Sequence, residues 1–153
     1  MSFWRRIFGG GPDAAGPSRL DYFNEALALE RQGDLDAALT SYRLALRDDP
    51  RNVKALQNMA IVCSKQQRPE EALRYYRQAL AIDPNLPGAH YGVAFLLRHR
   101  GEPARAAEHL RAFLAGAPQN PDLARFVEHA ERTLKALETG SDAGGPAAAA
   151  EDA

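Results

Sequence analysis

The sequence repeats with a period of about 34 residues, and this period constrains the fold more than any other feature. Three prolines mark it, because Pro50, Pro84 and Pro118 are evenly spaced along the chain. Other residues recur at the same spacing: Ala26, Ala60 and Ala94; Ala38, Ala72 and Ala106; Leu46, Leu80 and Leu114; and Tyr42 with Tyr76. A period of roughly 20 to 50 residues is typical of proteins that stack one supersecondary unit on the next. The sequence therefore predicts three such units.

Each unit carries the apolar spacing of two consecutive helices. In the second unit the residues at i, i+3, i+4 and i+7 of the first helix are Leu56, Met59, Ala60 and Cys63. In the third unit they are His90, Val93, Ala94 and Leu97. This spacing places four side chains on one helical face. Second helices are predicted over 37–47, 70–82 and 104–115, so the predicted fold is all-α.

Helix start and stop signals agree with these segments. Pro69 and Pro103 lie where a first helical turn tolerates a missing N–H. Asn52 and Asn120 are predicted to cap the N-termini of helices. Gly33 is predicted to supply the positive φ that ends a helix before a tight turn.

Two helices within each period, with these columns of alanine, tyrosine and proline, resemble the tetratricopeptide repeat family. The resemblance implies a right-handed α-solenoid of three repeats, over residues 19–52, 53–86 and 87–120. A capping helix over 121–138 is predicted to follow, because its apolar residues form one stripe: Leu123, Phe126, Val127, Ala130, Leu134 and Leu137. The family's early tryptophan position holds Tyr22, Leu56 and His90, which is a common variation.

Composition excludes several classes of function. With 45% apolar and 25% charged residues and a net charge of −1, the chain lacks the basic excess of a general nucleic-acid binder. Its single cysteine, Cys63, excludes a disulfide within the chain and lies on an apolar helical face, so we expect a buried thiol. The histidines have no spacing of three or four that would form a metal pair on a helix: His90, His99, His109 and His129. No catalytic motif is present, so we expect neither an enzyme nor a cofactor.

In the family, the first helix of each repeat lines a concave groove that holds peptides. The resemblance assigns these columns to the groove: Phe23, Gln57 and Tyr91; Leu27, Ile61 and Phe95; Asn24, Asn58 and Gly92; and Arg31, Lys65 and His99. They imply an apolar floor with a basic edge, which suits an apolar peptide that is flanked by acidic residues or ends in a carboxylate. The expected apolar anchors are Phe23, Ile61, Tyr91 and Phe95, and the groups that orient the ligand are Arg31, Asn58 and Lys65.

Some of these residues also have a purely structural interpretation. Leu27 and Ile61 could pack against neighbouring repeats, and the basic column could be a solvated edge. Tyr91 and Phe95 are expected to be spare for a ligand, because the next residues on their helix already fill the core face. Phe126 is expected to belong to the core of the cap.

Two subtypes of the family have recognisable features of their own. Repeat proteins that hold the carboxyl end of heat-shock chaperones use a clamp of Lys, Asn, Asn, Lys and Arg. Those positions hold Phe23, Leu27, Asn58, Gly88 and Gly92, so only Asn58 matches. Chaperones of type III secretion translocators are also small three-repeat proteins with apolar grooves, but their N-terminal helix is unlike the glycine-rich start of this chain.

The two ends of the chain differ in composition from the repeats. Residues 1–18 form a leader in which an aromatic and basic segment precedes a glycine-rich linker: Phe3, Trp4, Arg5, Arg6, Ile7 and Phe8. This segment could contact a membrane interface, dock in a groove of its own or a neighbouring chain, or have no role. Residues 139–153 are predicted to be a disordered tail.

The function predicted from the sequence is a non-enzymatic adaptor or scaffold that binds a protein or peptide partner in its groove. The alternatives are a membrane-peripheral or self-assembling scaffold that uses the leader, and a chaperone of the type III secretion kind. With no signal peptide or membrane span in the sequence, we expect a cytoplasmic protein, or one peripheral to the inner membrane. Sixteen arginines against three lysines suggest a GC-rich bacterial gene.

Overall fold

The computed structural model describes residues 19–117 and 119–142, with side chains from residue 21 onward. Within those residues the chain forms seven α-helices, one 3-10 turn and no strand, which confirms the all-α prediction. The helices are α1 (Arg19–Gln32), α2 (Leu35–Asp48), α3 (Val53–Lys65), α4 (Pro69–Ile82), α5 (Pro87–His99), α6 (Pro103–Gly116) and α7 (Ala124–Glu138), with the 3-10 turn at Pro121–Leu123. The predictions for Phe3, Trp4, Arg5, Arg6, Ile7 and Phe8, and for the tail beyond residue 142, lie outside the described residues.

The helices of each repeat are joined by the same kind of turn. Gly33, Gln67 and Gly101 hold equivalent positions in successive repeats, and their φ angles are +82°, +59° and +78°. In the first turn the amide of Asp34 donates to the carbonyl of Leu29 at 3.0 Å, which is the six-to-one hydrogen bond of a Schellman motif. The positive φ predicted for Gly33 is confirmed, and the same conformation recurs in all three repeats.

Helix starts follow the predicted signals closely. The side chain of Asn52 accepts a hydrogen bond from the amide of Ala55 at 3.0 Å, which confirms it as an N-cap. Pro69 and Pro103 begin α4 and α6 as predicted, and Pro87 begins α5 in the same way. The prediction that 121–138 is one helix is wrong at its start, because a 3-10 turn precedes α7. The Asn120 side chain accepts from the amide only two residues ahead, which tightens this turn.

The described residues divide into two compact units, of which the first ends at Pro50 and the second begins at Arg51. In the described part of the first unit, α1 packs on α2 around a core of Ala26, Ala38, Leu39, Tyr42 and Ala45. The Tyr42 hydroxyl donates to the Glu30 carboxylate at 2.9 Å, and the Phe23 ring lies 5.8 Å from the Tyr42 ring.

The second unit contains the remaining helices, and its core matches the apolar spacing of the sequence. The predicted face of α3 is buried at Leu56, Met59, Ala60 and Cys63. On α5, Val93, Ala94 and Leu97 are buried, whereas His90 is only half-buried. The thiol of Cys63 is fully buried, as predicted.

The end of the second unit is closed by α7, which packs on α6. Ala130 of α7 is fully buried in a cluster with Ala94, Leu110 and Phe113. The predicted apolar stripe accounts for this packing, because Val127, Leu134 and Leu137 lie against the same cluster. Beyond α7, Asp142 accepts three hydrogen bonds from the guanidinium of Arg98, at 2.8, 2.9 and 3.1 Å. None of the described helices has the length and apolar character needed to cross a membrane.

Candidate functional site

An open cleft of about 560 Å³ lies in the second unit, where α3, α4, α5, α6 and α7 meet. Most of its lining is apolar or aromatic: Ile61, Pro87, Tyr91, Phe95, Leu96, Phe113, Leu123 and Phe126. Its remaining lining residues are small or uncharged: Gln57, Ser64, Tyr76, Gly88 and Gly92. No charged side chain lines the cleft among the residues that the structure describes. These features make the cleft suited to an apolar ligand.

A second hollow, of about 540 Å³, lies between the end of α6 and the start of α7. Its lining includes the carboxylates of Glu128 and Glu131 and the polar side chains of Gln119 and Asn120. It contains none of the predicted groove residues. The apolar cleft is therefore the candidate site.

Five of the predicted groove residues line the cleft: Gly92, and two pairs that share a helix face. Gln57 and Ile61 lie one turn apart on α3, and Tyr91 and Phe95 lie one turn apart on α5. Residues four apart share one face of a helix. The first helices of the second and third repeats, α3 and α5, therefore each present one face to the same cleft.

The remaining predicted groove residues do not line this cleft. Asn58 is half-buried on α3, while Lys65 and His99 are exposed at the last residues of α3 and α5. The others lie in the first unit, where Phe23 and Leu27 are half-buried, and Asn24 and Arg31 are exposed.

An aromatic cluster forms one wall of the cleft. The Tyr91 ring centroid lies 4.7 Å from that of Phe95, 5.1 Å from that of Phe113 and 5.6 Å from that of Phe126. The Tyr91 hydroxyl and Nδ1 of His129 form a hydrogen bond of 2.9 Å, and the His129 ring stacks on Phe95 with a centroid distance of 4.7 Å. Burial raises the pKa of Tyr91, so its hydroxyl stays protonated at neutral pH. The wall is thus preformed by ring packing and one hydrogen bond.

This packing corrects the expectation that Tyr91 and Phe95 are spare for a ligand. Both rings pack against the buried cluster of Ala94, Leu110, Phe113 and Ala130 as well as facing the cleft. Phe126 also packs against this cluster and lines the cleft, although it was expected only in the core of the cap. Replacing these rings by alanine would leave a cavity and lower stability. Such variants cannot separate binding from folding.

Two glycines on α5 bring neighbouring side chains close to its backbone. A methyl group at Gly92 would overlap the phenol of Tyr76, and one at Gly88 would overlap the amide of Gln57. Tyr76, on α4, therefore reaches the cleft although its residue is only 4% exposed. The sequence analysis placed Tyr76 only among the recurring columns of the repeat and missed its place in the lining. Gly88 and Gly92, one turn apart in a helix, were the sequence signal that neighbouring side chains approach the backbone of α5 closely.

No group of three or more His, Cys, Asp or Glu residues that could hold a metal ion is found in the part of the chain that the structure describes. Cys63 is enclosed in the core and does not reach the cleft. The arrangement can enclose and orient an apolar chain, and it presents hydroxyl and amide groups for hydrogen bonding.

Sequence profiles of the tetratricopeptide repeat match three consecutive segments of the chain, residues 20–52, 53–86 and 87–112. These segments meet at the boundaries that the repeat period predicts. No curated protein matches the sequence at a significant level.

Several solved structures have a similar fold. One is the type III secretion chaperone SycD of Yersinia enterocolitica in complex with a peptide of the translocator YopD. It is 14% identical, with a TM-score of 0.75, over 85% of this chain and 100% of that chain. Another is the first TPR of Spaghetti (RPAP3) bound to the HSP90 peptide SRMEEVD, at 17% identity and a TM-score of 0.68, over 80% of this chain and 91% of that chain.

A third similar structure is the complex of the TPR2B domain of yeast Sti1 with pHsp70. It is 18% identical, with a TM-score of 0.69, over 80% of this chain and 97% of that chain. Together these likenesses confirm the predicted α-solenoid class.

Proposed function

Because this chain belongs to the tetratricopeptide repeat family, we propose that it is a non-enzymatic protein-interaction module. It binds an apolar peptide segment of a partner protein in the cleft where α3 and α5 meet. The observation that carries this proposal is the cleft itself, with its preformed aromatic wall and no charged side chain in its described lining. Family membership alone would not carry it, since function resides in sites and not in folds.

The peptide complexes among the similar structures support this choice of ligand. SycD holds a translocator peptide, and the RPAP3 repeat holds an HSP90 peptide. The clamp residues associated with heat-shock chaperones are absent here except for Asn58. An apolar segment of the kind that a secretion chaperone would shield fits the uncharged cleft better than a carboxyl terminus does.

The size and chemistry of the cleft set the expected affinity. Burying one large apolar side chain contributes about 1.5–3 kcal/mol. Two or three such side chains, less the cost of ordering a flexible peptide, correspond to dissociation constants of about micromolar. Lys65 is exposed at the end of α3, so acidic residues that flank the apolar segment would add electrostatic attraction.

A matched pair of isoleucines tests the proposal. Ile61 and Ile82 are both half-buried, but only Ile61 lines the cleft. We would select binders of the full chain from a phage-displayed library of linear dodecapeptides and measure their affinity by fluorescence anisotropy. Ile61→Ala should weaken binding about five- to thirty-fold, because the contact with the ligand loses several methylene groups. Ile82→Ala should leave affinity unchanged at a similar cost in stability.

Two results would contradict the proposal. One is equal affinity for the Ile61→Ala and Ile82→Ala variants, which would place the ligand elsewhere. The other is a library from which no selected peptide binds the cleft, even at concentrations far above micromolar. Melting curves of both variants confirm that each remains folded during the comparison.

A further inference from the structure

The hydroxyl group of Tyr76 is a polar group at the cleft that has no hydrogen-bond partner among the described residues. Tyr76 lines the cleft, yet only 4% of the residue is exposed. A ligand that covers the cleft would exclude water from this hydroxyl. A buried hydroxyl group without a partner is unfavourable, because it loses its hydration without compensation. The position therefore points to an acceptor that arrives with the ligand.

The equivalent tyrosine of the first repeat has the internal hydrogen-bond acceptor that Tyr76 lacks among the described residues. Tyr42 holds the same position one repeat earlier, and its hydroxyl donates to the carboxylate of Glu30 at 2.9 Å. In the second repeat the position of Glu30 is held by Ser64. The Ser64 hydroxyl donates instead to the carbonyl of Ala60, at 3.0 Å on its own helix. The sequence thus removes the internal acceptor in the repeat where the tyrosine borders the cleft.

The phenol of Tyr76 is also held in place. It lies against the backbone of α5 at Gly92, so closely that a methyl group there would overlap the ring. The rest of Tyr76 is enclosed in the core with Ala72, Leu73 and Ala79 of the same helix. The hydroxyl therefore has a fixed position at the cleft, and a fixed donor loses little entropy when it binds an acceptor.

We propose that the Tyr76 hydroxyl is the hydrogen-bond donor of the cleft and recognises a backbone carbonyl of a bound peptide in an extended conformation. This inference rests on the proposed peptide-binding function. A neutral acceptor is favoured over a carboxylate, because no described lining residue is cationic and burying a carboxylate costs more than burying a carbonyl group. An extended segment is favoured over a helix, because the carbonyls of a helix interior are already hydrogen-bonded.

The protonation of Tyr76 agrees with this role. Burial raises the pKa of Tyr76 to about 12. The phenol is therefore protonated throughout the neutral range and remains able to donate.

The test compares the Tyr76→Phe and Tyr42→Phe variants of the full chain. The ligand is a library-selected dodecapeptide whose affinity is lowered by Ile61→Ala. Tyr76→Phe should lower the affinity for that peptide about three- to ten-fold, which is the usual effect of losing one hydrogen bond. The melting temperature of the free protein should not fall, because no internal hydrogen bond is lost. Tyr42→Phe should leave affinity unchanged and lower the melting temperature, because the bond to Glu30 is lost. Equal affinity of Tyr76→Phe and the wild type would overturn the inference.

A scan of the peptide backbone identifies the acceptor. Replacing one amide of the peptide by an ester weakens a single carbonyl as a hydrogen-bond acceptor. A series of peptides carries the ester at each position in turn. At one position the ester should weaken binding to the wild type but not to Tyr76→Phe. If amidation of the peptide's carboxyl end instead removes the effect of Tyr76→Phe, the acceptor is a carboxylate and the inference is wrong. If no peptide depends on Ile61, the proposed function fails and this inference fails with it.

Discussion

At the scale of single residues, Gln67 is strained where its counterparts are not. It holds a φ of +59°, whereas Gly33 and Gly101 occupy the same turn in the other repeats. The left-handed conformation costs a non-glycine residue roughly 1–2 kcal/mol, and glycine avoids most of that cost. Gln67→Gly should therefore raise the free energy of unfolding by about 0.5–1 kcal/mol.

Urea denaturation measures this change, and Gly101→Gln provides the reverse experiment. The glycine position has no close neighbour that would confuse the result, since a methyl group at Gly101 would contact nothing within 4 Å. Gly101→Gln should lower stability by a similar amount. A Gln67→Gly variant no more stable than the wild type would show that this turn has no strain to release.

His90 shows where the apolar spacing of a helix misleads. It occupies a core position in the predicted stripe of α5, yet its Nε2 lies 2.7 Å from the carbonyl of Pro84 and its Nδ1 lies 3.0 Å from Nδ1 of His109. Because a carbonyl only accepts, Nε2 of His90 donates to it, and the two Nδ1 atoms form a hydrogen bond with each other. The partner is on α6, and such a pairing has no signature in the periodicity of one helix.

This pair makes stability depend on pH. Burial lowers the pKa of His109, and the charge of His90 lowers it further. Arg105 and Arg77 act in the same direction, and Glu108 opposes them. The unfolded chain thus takes up this proton at a higher pH than the folded chain does. Stability is therefore expected to fall as the pH drops below about 6.5.

His109→Asn tests this dependence, because the asparagine amide can still form a hydrogen bond with His90 but does not titrate. We would compare the melting temperatures of the wild type and the variant between about pH 7.5 and pH 5.5. The wild type should lose more stability on acidification than the variant. Parallel curves for the two proteins would contradict the assignment of the pH dependence to His109.

At the scale of elements, the helices were predictable because each signal is local. Proline at the first turn, asparagine at the N-cap and glycine after the last turn act within a few residues. The prediction failed at the start of α7, where the Asn120 side chain caps the amide of Asp122 and favours a 3-10 turn. Proline at the first position suits either kind of helix, so the sequence did not separate them.

The two glycines of α5 lead to a prediction at this scale. Alanine is favoured over glycine within a helix by about 1 kcal/mol. At Gly88 the neighbour is the flexible end of Gln57, which can move aside, so Gly88→Ala should leave stability unchanged or raise it. At Gly92 the neighbour is the enclosed Tyr76 phenol, so Gly92→Ala should lower stability by about 1–3 kcal/mol.

Thermal and urea unfolding of the two variants measure this difference directly. Gly88→Ala is the matched control, since it makes the same change one turn away on the same helix. If both variants were equally stable, the phenol of Tyr76 would not be fixed against α5. Its role as a positioned donor would then lose its structural basis.

At the scale of the whole molecule, the repeat made the fold predictable, while the site was only partly so. Moving one period along the chain locates the counterpart of a residue in the next repeat, and this placed Ile61 and Phe95 in one column. The period cannot show what fills the space between helices. It missed that Phe113 and Phe126 complete the wall and that Tyr76 reaches the cleft.

The most direct test of the central claim uses the three isoleucines of the chain, Ile7, Ile61 and Ile82. Labelling their δ1-methyl groups for NMR gives one signal from the leader, one from the cleft and one from the end of α4. On titration with a library-selected peptide, the Ile61 signal should shift until the cleft is saturated, while the Ile82 signal stays in place. A peptide that shifts the Ile82 or Ile7 signal and leaves Ile61 unchanged would contradict binding in the cleft.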